Sequence, residues 1–234
     1  MARAARSLKQ PGNGKKEALK RTVLEVAAQL FAERGFAGTT PQDIADALGI
    51  NRSTLYYYFS SKDEILASLV EEITVFSQQQ STQVAKGDRN PGETLRLMTR
   101  NHAKWLLDHV VQFRVVDRSE ADLPEVTRKV HIAAKRIILD NFTGIIARGA
   151  EIGHFRPVDP RVAAFAILGM CSWTAWWFKP TGTRTAQEVA EMIADLALHS
   201  VRREDARRPK SAELGGALQV LREDLDHLEL LLKR

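Results

Sequence analysis

The chain has one cysteine in 234 residues, Cys171. A single thiol excludes an intrachain disulfide framework and a cysteine-rich metal site, and it fits a reducing cytoplasm. Cys171 stands in a strongly apolar stretch, where a lone thiol is read as a packing residue. No apolar run reaches the ~18 residues that a membrane-spanning helix needs. Strand-type alternation and any repeat at a spacing of tens of residues are also missing. So are the G-x-S-x-G, Walker and dinucleotide glycine patterns, which leaves no basis for expecting an enzyme or a bound cofactor. His102 and His109 are seven residues apart where chelation wants four, so no metal site is expected. Tyrosine is scarce: the chain has three, and they are consecutive, Tyr56-Tyr57-Tyr58. Excess charge is absent from most of the length. Residues 1–62 hold ten Lys/Arg against five Asp/Glu, which accounts for the whole formal net charge of +5. Basicity confined to one end points to a polyanion partner for that end alone.

That basic end carries the most informative segment, residues 31–66, FAERGFAGTTPQDIADALGINRSTLYYYFSSKDEIL. Leu24, Ala27, Ala28, Phe31 and Ala32 recur at three- and four-residue steps, forming one apolar helix face. Gly35 stops that helix. Thr40 before Pro41 is a start signal for a second helix, with Asp43 in its positive first turn. Ile44, Ala45 and Leu48 give this helix its buried face, and Gly49 supplies the next turn. Asn51 or Ser53 then caps a third helix running to about Phe59, with Leu55 and Phe59 pointing inward. Arg52, Ser53, Thr54, Tyr56 and Tyr57 are left to face outward, and Tyr58 divides between surface and core. Two short helices around a glycine turn, behind a longer one, make a helix-turn-helix. Its last helix is assigned to the DNA major groove, where an arginine near the N-terminus can grip guanine bidentately and tyrosines can reach phosphate or sugar.

The residues Phe31, Gly35-Phe36, Thr39-Thr40, Asp43-Ile44-Ala45, Leu48-Gly49-Ile50, Thr54-Leu55-Tyr56, Tyr58-Phe59 and Ser61-Lys62 resemble the N-terminal signature of the TetR family of transcriptional regulators. The matching segment covers about residues 20–68. The resemblance implies DNA contacts by Thr40, Gln42, Arg52, Ser53, Thr54, Tyr56, Tyr57 and Lys62, the last as a phosphate-gripping lysine that follows the Ser61 cap.

From Ser61 onward every segment reads as helix: about 63–86, 93–111, 113–122, 125–149, 161–178 and 185–201. The fold expected is therefore all-α. A basic arm over 1–16, not a secretion leader, precedes a three-helix DNA-binding domain over 17–62. A helical ligand-binding and dimerisation domain follows over 63–203. Leu214, Leu218, Leu221, Leu225, Leu228 and Leu232, spaced 4-3-4-3-4, mark an additional heptad helix over 211–234. In proteins of this resemblance the last two long helices of the body pair with their copies in a homodimer. The apolar run from Ala163 to Met170 suits that role. A two-fold dimer also places two reading heads about one DNA turn apart, ~34 Å, on a palindromic operator.

Cys171-Ser172-Trp173-Thr174-Ala175-Trp176-Trp177-Phe178-Lys179-Pro180 is the next distinctive feature. It looks like the penultimate-helix end of TetR regulators that respond to acyl-CoA thioesters. Trp173, Trp176 and Trp177 share a helical face, and can line an apolar tunnel or form a subunit interface. Trp105, Phe113, Phe142 and Met170 are candidates for the opposite wall. Arg114, Arg118, Lys135, Arg136 and Lys179 are the cations available to CoA phosphates. The expected protein is a cytoplasmic homodimeric repressor that a hydrophobic effector, an acyl-CoA, releases from its operator. The alternatives are a sensor of a lipophilic drug or toxin controlling an efflux pump, and a helical scaffold that organises DNA.

Overall fold

A computed structural model describes residues 13–203. Most of the basic arm and the whole leucine-heptad tail lie outside these residues. The first helix, α1 (Asn13–Arg34), starts four residues earlier than the sequence suggested, so Gly14 and Lys16 belong to helix, not arm. It buries Val23, Ala27, Ala28, Leu30 and Phe31. Gly35 ends it at φ +76°, a conformation that costs glycine little and any other residue more. The buried Thr39 hydroxyl donates to the Gly35 carbonyl at 2.9 Å, with the Leu30 carbonyl 3.3 Å away, and so closes the helix end.

Caps then fix the following elements. Thr40 and Asp43 form a reciprocal capping box at the start of α2 (Pro41–Ala47). The Thr40 hydroxyl and amide hold the Asp43 carboxyl below its ordinary range. Gly49, at φ +64°, makes the turn. Asn51, not Ser53, caps α3 (Arg52–Tyr58): its side-chain oxygen accepts from the Thr54 amide at 2.7 Å. Ser61 caps α4 (Lys62–Val70). A π-turn over Glu71–Val75 carries α4 into α5 (Phe76–Ala85), where the sequence suggested an uninterrupted helix.

The body continues with α6 (Pro91–Asp108) and α7 (Val110–Arg118). They part at His109, three residues before the expected break, because its backbone leaves the helical region (φ −122°, ψ 38°). A short 3-10 turn, α8 (Glu125–Glu151), α9 (Pro160–Trp177) and α10 (Ala186–Val201) complete the described chain. No strand occurs among the described residues, only an isolated bridge between Phe155 and Arg202. The fold is all-α. The helix α6 lies along α10, tied by Arg96 to Glu191 and Asp195 at 2.9 Å each. The next layer is α8, against both α9 and α5. Phe155 folds back onto α8, its ring occupying the space in which a Cβ at Gly149 would stand.

One hydrophobic core crosses from head to body. Val23, Ala27, Phe31, Ile44, Leu55, Ile65 and Leu69 of the head are continuous with Ile73, Ala103, Leu106, Val115, Val116 and Cys171 of the body. The helix that closes the head, α4, is therefore anchored by packing to the helices of the body. No helix among the described residues is long and apolar enough to cross a membrane.

Candidate DNA interface and effector cavity

On the head, Gln42, Arg52, Ser53, Tyr56 and Tyr57 are exposed, Thr54 is half-buried, and Leu55 and Phe59 point inward as expected. Tyr58 is half-buried against the head core. Asn51 organises the start of α3: besides the Thr54 amide, its side-chain oxygen accepts from the Ser53 and Thr54 hydroxyls at 2.8 and 2.6 Å. The Arg52 guanidinium donates to the Tyr56 hydroxyl one turn later at 2.9 Å, so the two form one outward-facing pair. Lys16 of α1 stands 5.3 Å from the centre of the Tyr57 ring and adds a cation beside the helix. Gln42 is held by Asp46 at 2.7 Å. Lys62 has a post that the sequence did not reveal. Its ammonium donates to the Phe36 and Thr39 carbonyls at 2.7 and 2.9 Å and lies over the Phe36 ring. Two of its three donors thus pin the turn between α1 and α2, leaving one for a phosphate.

The body holds a half-open cavity of about 540 Å³ between α5, α6, α7, α8 and α9. Ile73, Leu106, Phe113, Val116, Ile138 and Leu168 provide apolar walls, and Lys135, Arg136 and Arg161 are the basic residues lining it. Four of its polar side chains form two hydrogen-bonded pairs. The Thr74 hydroxyl meets His131 Nδ1 at 2.9 Å, and Ser77 Oγ meets His102 Nδ1 at 2.8 Å. Burial, and then the nearby Lys135 charge, lower the affinity of His131 for a proton, and burial brings His102 down to about 4. The Glu120 carboxylate receives Lys135 at 2.8 Å beside His131 and is held below its ordinary range by that lysine. Neutral imidazoles inside and cations at 135, 136 and 161 suit a molecule with an apolar part and an anionic part.

Of the aromatic and apolar residues assigned to this cavity from sequence, only Phe113 lines it, while Lys135 and Arg136 line it among the cations named there. Phe142 is fully buried behind His102, with ring centres 6.2 Å apart. Met170 is half-buried in the core shared by α8 and α9. Trp105 lines an adjoining cavity instead, stacked between Phe76 and His109, and its indole N–H donates to the Ile73 carbonyl at 3.3 Å. The three clustered tryptophans do not reach the cavity at all. Trp173 and Trp177 are 68% and 52% exposed on the outer side of α9, and Trp176 lies under Arg118. The face that α9 turns to the cavity is Arg161, Phe165, Leu168, Gly169 and Ser172. The sequence reading missed Arg161, a residue at the first turn of α9. Among the other cations, Arg114 is committed to the Ala175 and Phe178 carbonyls at 2.7 and 3.2 Å.

Comparison with known proteins finds matches to both the head and the body. The model "Bacterial regulatory proteins, tetR family" matches residues 23–69, and "Tetracyclin repressor-like, C-terminal domain" matches residues 88–201. The HTH-type transcriptional repressor KstR2 of Mycobacterium tuberculosis is 27% identical over 184 residues, spanning 78% of this chain and 92% of that protein. The TetR family regulator PfmR from Thermus thermophilus is 34% identical with a TM-score of 0.70, covering 77% of this chain and 99% of that one. AibR, solved in complex with isovaleryl coenzyme A and operator DNA, is 30% identical with a TM-score of 0.64, covering 76% and 96%.

Proposed function

The chain belongs to the TetR family of bacterial transcriptional regulators, and on that premise we propose a homodimeric repressor released from a palindromic operator by an acyl-CoA thioester. The observation that carries the effector class is the cavity: apolar walls with Lys135, Arg136 and Arg161 among its lining residues. An acyl group takes the apolar part, and the phosphates of coenzyme A take the cations. The bound isovaleryl coenzyme A of AibR supports the same class.

DNA binding falls to Arg52, Ser53, Thr54, Tyr56 and Tyr57 on α3, with Thr40, Gln42 and Lys62 beside it. The Arg52–Tyr56 pair is the base-reading element and the hydroxyls fix register on the backbone. Dimerisation uses the outer faces of α9 and α10, where Val162, Trp173, Trp177, Met192 and Leu196 are exposed. So much apolar surface on adjacent helices is what a partner subunit would cover.

The two sites share one lever. Ile73, Thr74 and Ser77 line the cavity, while Ile65, Leu66 and Leu69 on the same continuous helical segment sit in the head core. An effector that binds more tightly when that segment is displaced shifts the heads out of register and lowers operator affinity by its differential affinity for the two states.

The test is operator DNA from upstream of the chain's own gene, titrated with acyl-CoAs, their free acids and coenzyme A alone. Release by thioesters but not by the acids is the expected result. Arg136→Ala and Arg161→Ala should each raise the thioester concentration required about tenfold, equivalent to ~1.4 kcal/mol. Release by lipophilic drugs and by no thioester would replace this reading with the efflux sensor.

A further inference from the structure

A second cavity, about 280 Å³, lies between α5 and α6. Phe76, Val84, Met98 and Trp105 give it apolar walls, and Gln80 and Asn101 are among its polar lining residues. Ser77 and His102 line both this cavity and the effector cavity. They are hydrogen-bonded to each other, Ser77 Oγ to His102 Nδ1 at 2.8 Å. These are the two residues common to both linings, and the cavities adjoin at this pair.

We infer that the two cavities are successive chambers of one effector site, and that the Ser77–His102 pair is the gate between them. A short acyl group stops at the gate, and an extended chain displaces it and runs into the second chamber. This inference rests on the acyl-thioester reading above.

Three features support it. The gate is held by one neutral hydrogen bond, and His102 has no other hydrogen-bond partner among the described residues. Rotation about its two side-chain torsions opens the way without moving a helix. The imidazole is uncharged at neutral pH because burial holds it near 4, so an apolar chain meets no ion at the gate, and the Lys104 and Asp108 charges that line the second chamber are paired with each other. The second chamber also has an aromatic wall, Phe76 stacked on Trp105 with centres 4.3 Å apart. Trp105 is the residue that holds the Ile73 carbonyl of the π-turn. A chain end in that chamber therefore presses on the same lever that the first chamber touches at Ile73 and Thr74.

The experiment uses the full chain and measures affinity for linear saturated acyl-CoAs, from butyryl to palmitoyl. Gln80→Trp fills the second chamber from its polar side and leaves the first untouched; Asn101→Phe does so from the facing helix. Each variant is first shown to bind the operator as the parent does. Palmitoyl-CoA should bind at least about tenfold more weakly to either variant, with butyryl-CoA unchanged. Ser77→Ala, which unlatches the gate, should improve palmitoyl-CoA binding relative to butyryl-CoA. Equal changes for short and long chains, or none in either plugged variant, would overturn the gate while leaving the effector class intact. Failure of every thioester to bind the parent protein would overturn the effector class, and this inference with it.

Discussion

His102 is carried into the interior neutral, because the protein around it cannot solvate an imidazolium, and burial holds its pKa near 4. In the unfolded chain the same ring titrates near 6.5. Between those values the unfolded state binds more protons, so acid draws the equilibrium toward unfolding. The stability contribution is complete above about pH 6.5 and is lost progressively as pH falls toward 4. The full effect is on the order of 3 kcal/mol. Urea unfolding at pH 7 and pH 5, a window that spares most carboxylates, should show the loss, and His102→Gln should reduce it, leaving the share of His131, whose proton affinity burial also lowers; an equal slope in the variant would refute the assignment. Arg52 makes the second residue-scale case. Arg52→Ala removes both the fork proposed to read guanine and the support of the Tyr56 hydroxyl, and should weaken operator binding by ~1–3 kcal/mol. Dimerisation and effector affinity should not change. Gel-shift titration decides it, and an unchanged affinity would move base reading off this pair. At this scale the outward set on α3 was legible, because Leu55 and Phe59 fix which face is buried. The role of Lys62 was not, since its partners are backbone carbonyls more than twenty residues away.

Element starts were mostly readable where a side chain caps a backbone, although Asn90 went unread as a cap and α6 begins two residues before the expected residue 93. Thr40, Ser61, Asn90, Asp159 and Thr185 each accept from an amide in the first turn of the helix they start. Two features had no such signal. The apolar spacing of WLLDHVVQF runs on through His109, yet the backbone breaks there. The π-turn at Glu71–Val75 adds a residue to one turn without any glycine or proline to announce it; a tertiary contact, the Trp105 indole on Ile73, accompanies it. The cap of α3 offers the sharpest test at this scale. Asn51→Ala removes the acceptor of the Thr54 amide and frees the Ser53 and Thr54 hydroxyls. It should cost about 1 kcal/mol of stability and weaken operator binding as the reading helix frays, whereas Asn51→Ser should restore most of both. If Asn51→Ala left both unchanged, the cap would contribute nothing to presenting α3.

For the molecule as a whole, helical periodicity told which residues of α9 share a face but not what that face meets. Trp173, Trp176 and Trp177 read equally well as cavity wall or subunit interface, because both environments are apolar. The structure separates the cases by exposure: Trp173 and Trp177 stand outside, close to Val162 in helical phase, and Met192 and Leu196 are exposed on α10. The operator-binding unit proposed above depends on this face. One head of seven-residue helices offers few contacts, and a second head held at fixed spacing gains by effective concentration, commonly 10²–10⁴-fold. Trp173→Glu with Trp177→Glu places two carboxylates on each subunit where the partner would otherwise exclude water, at a site where neither residue touches the effector cavity. The doubly substituted protein should sediment as a monomer and lose operator affinity by roughly that hundredfold or more. Its head fold should survive, since the core of α1, α2 and α3 contains neither tryptophan. A variant that remained dimeric at micromolar concentration would place the subunit interface elsewhere, and one that became monomeric with full operator affinity would show that a single head suffices.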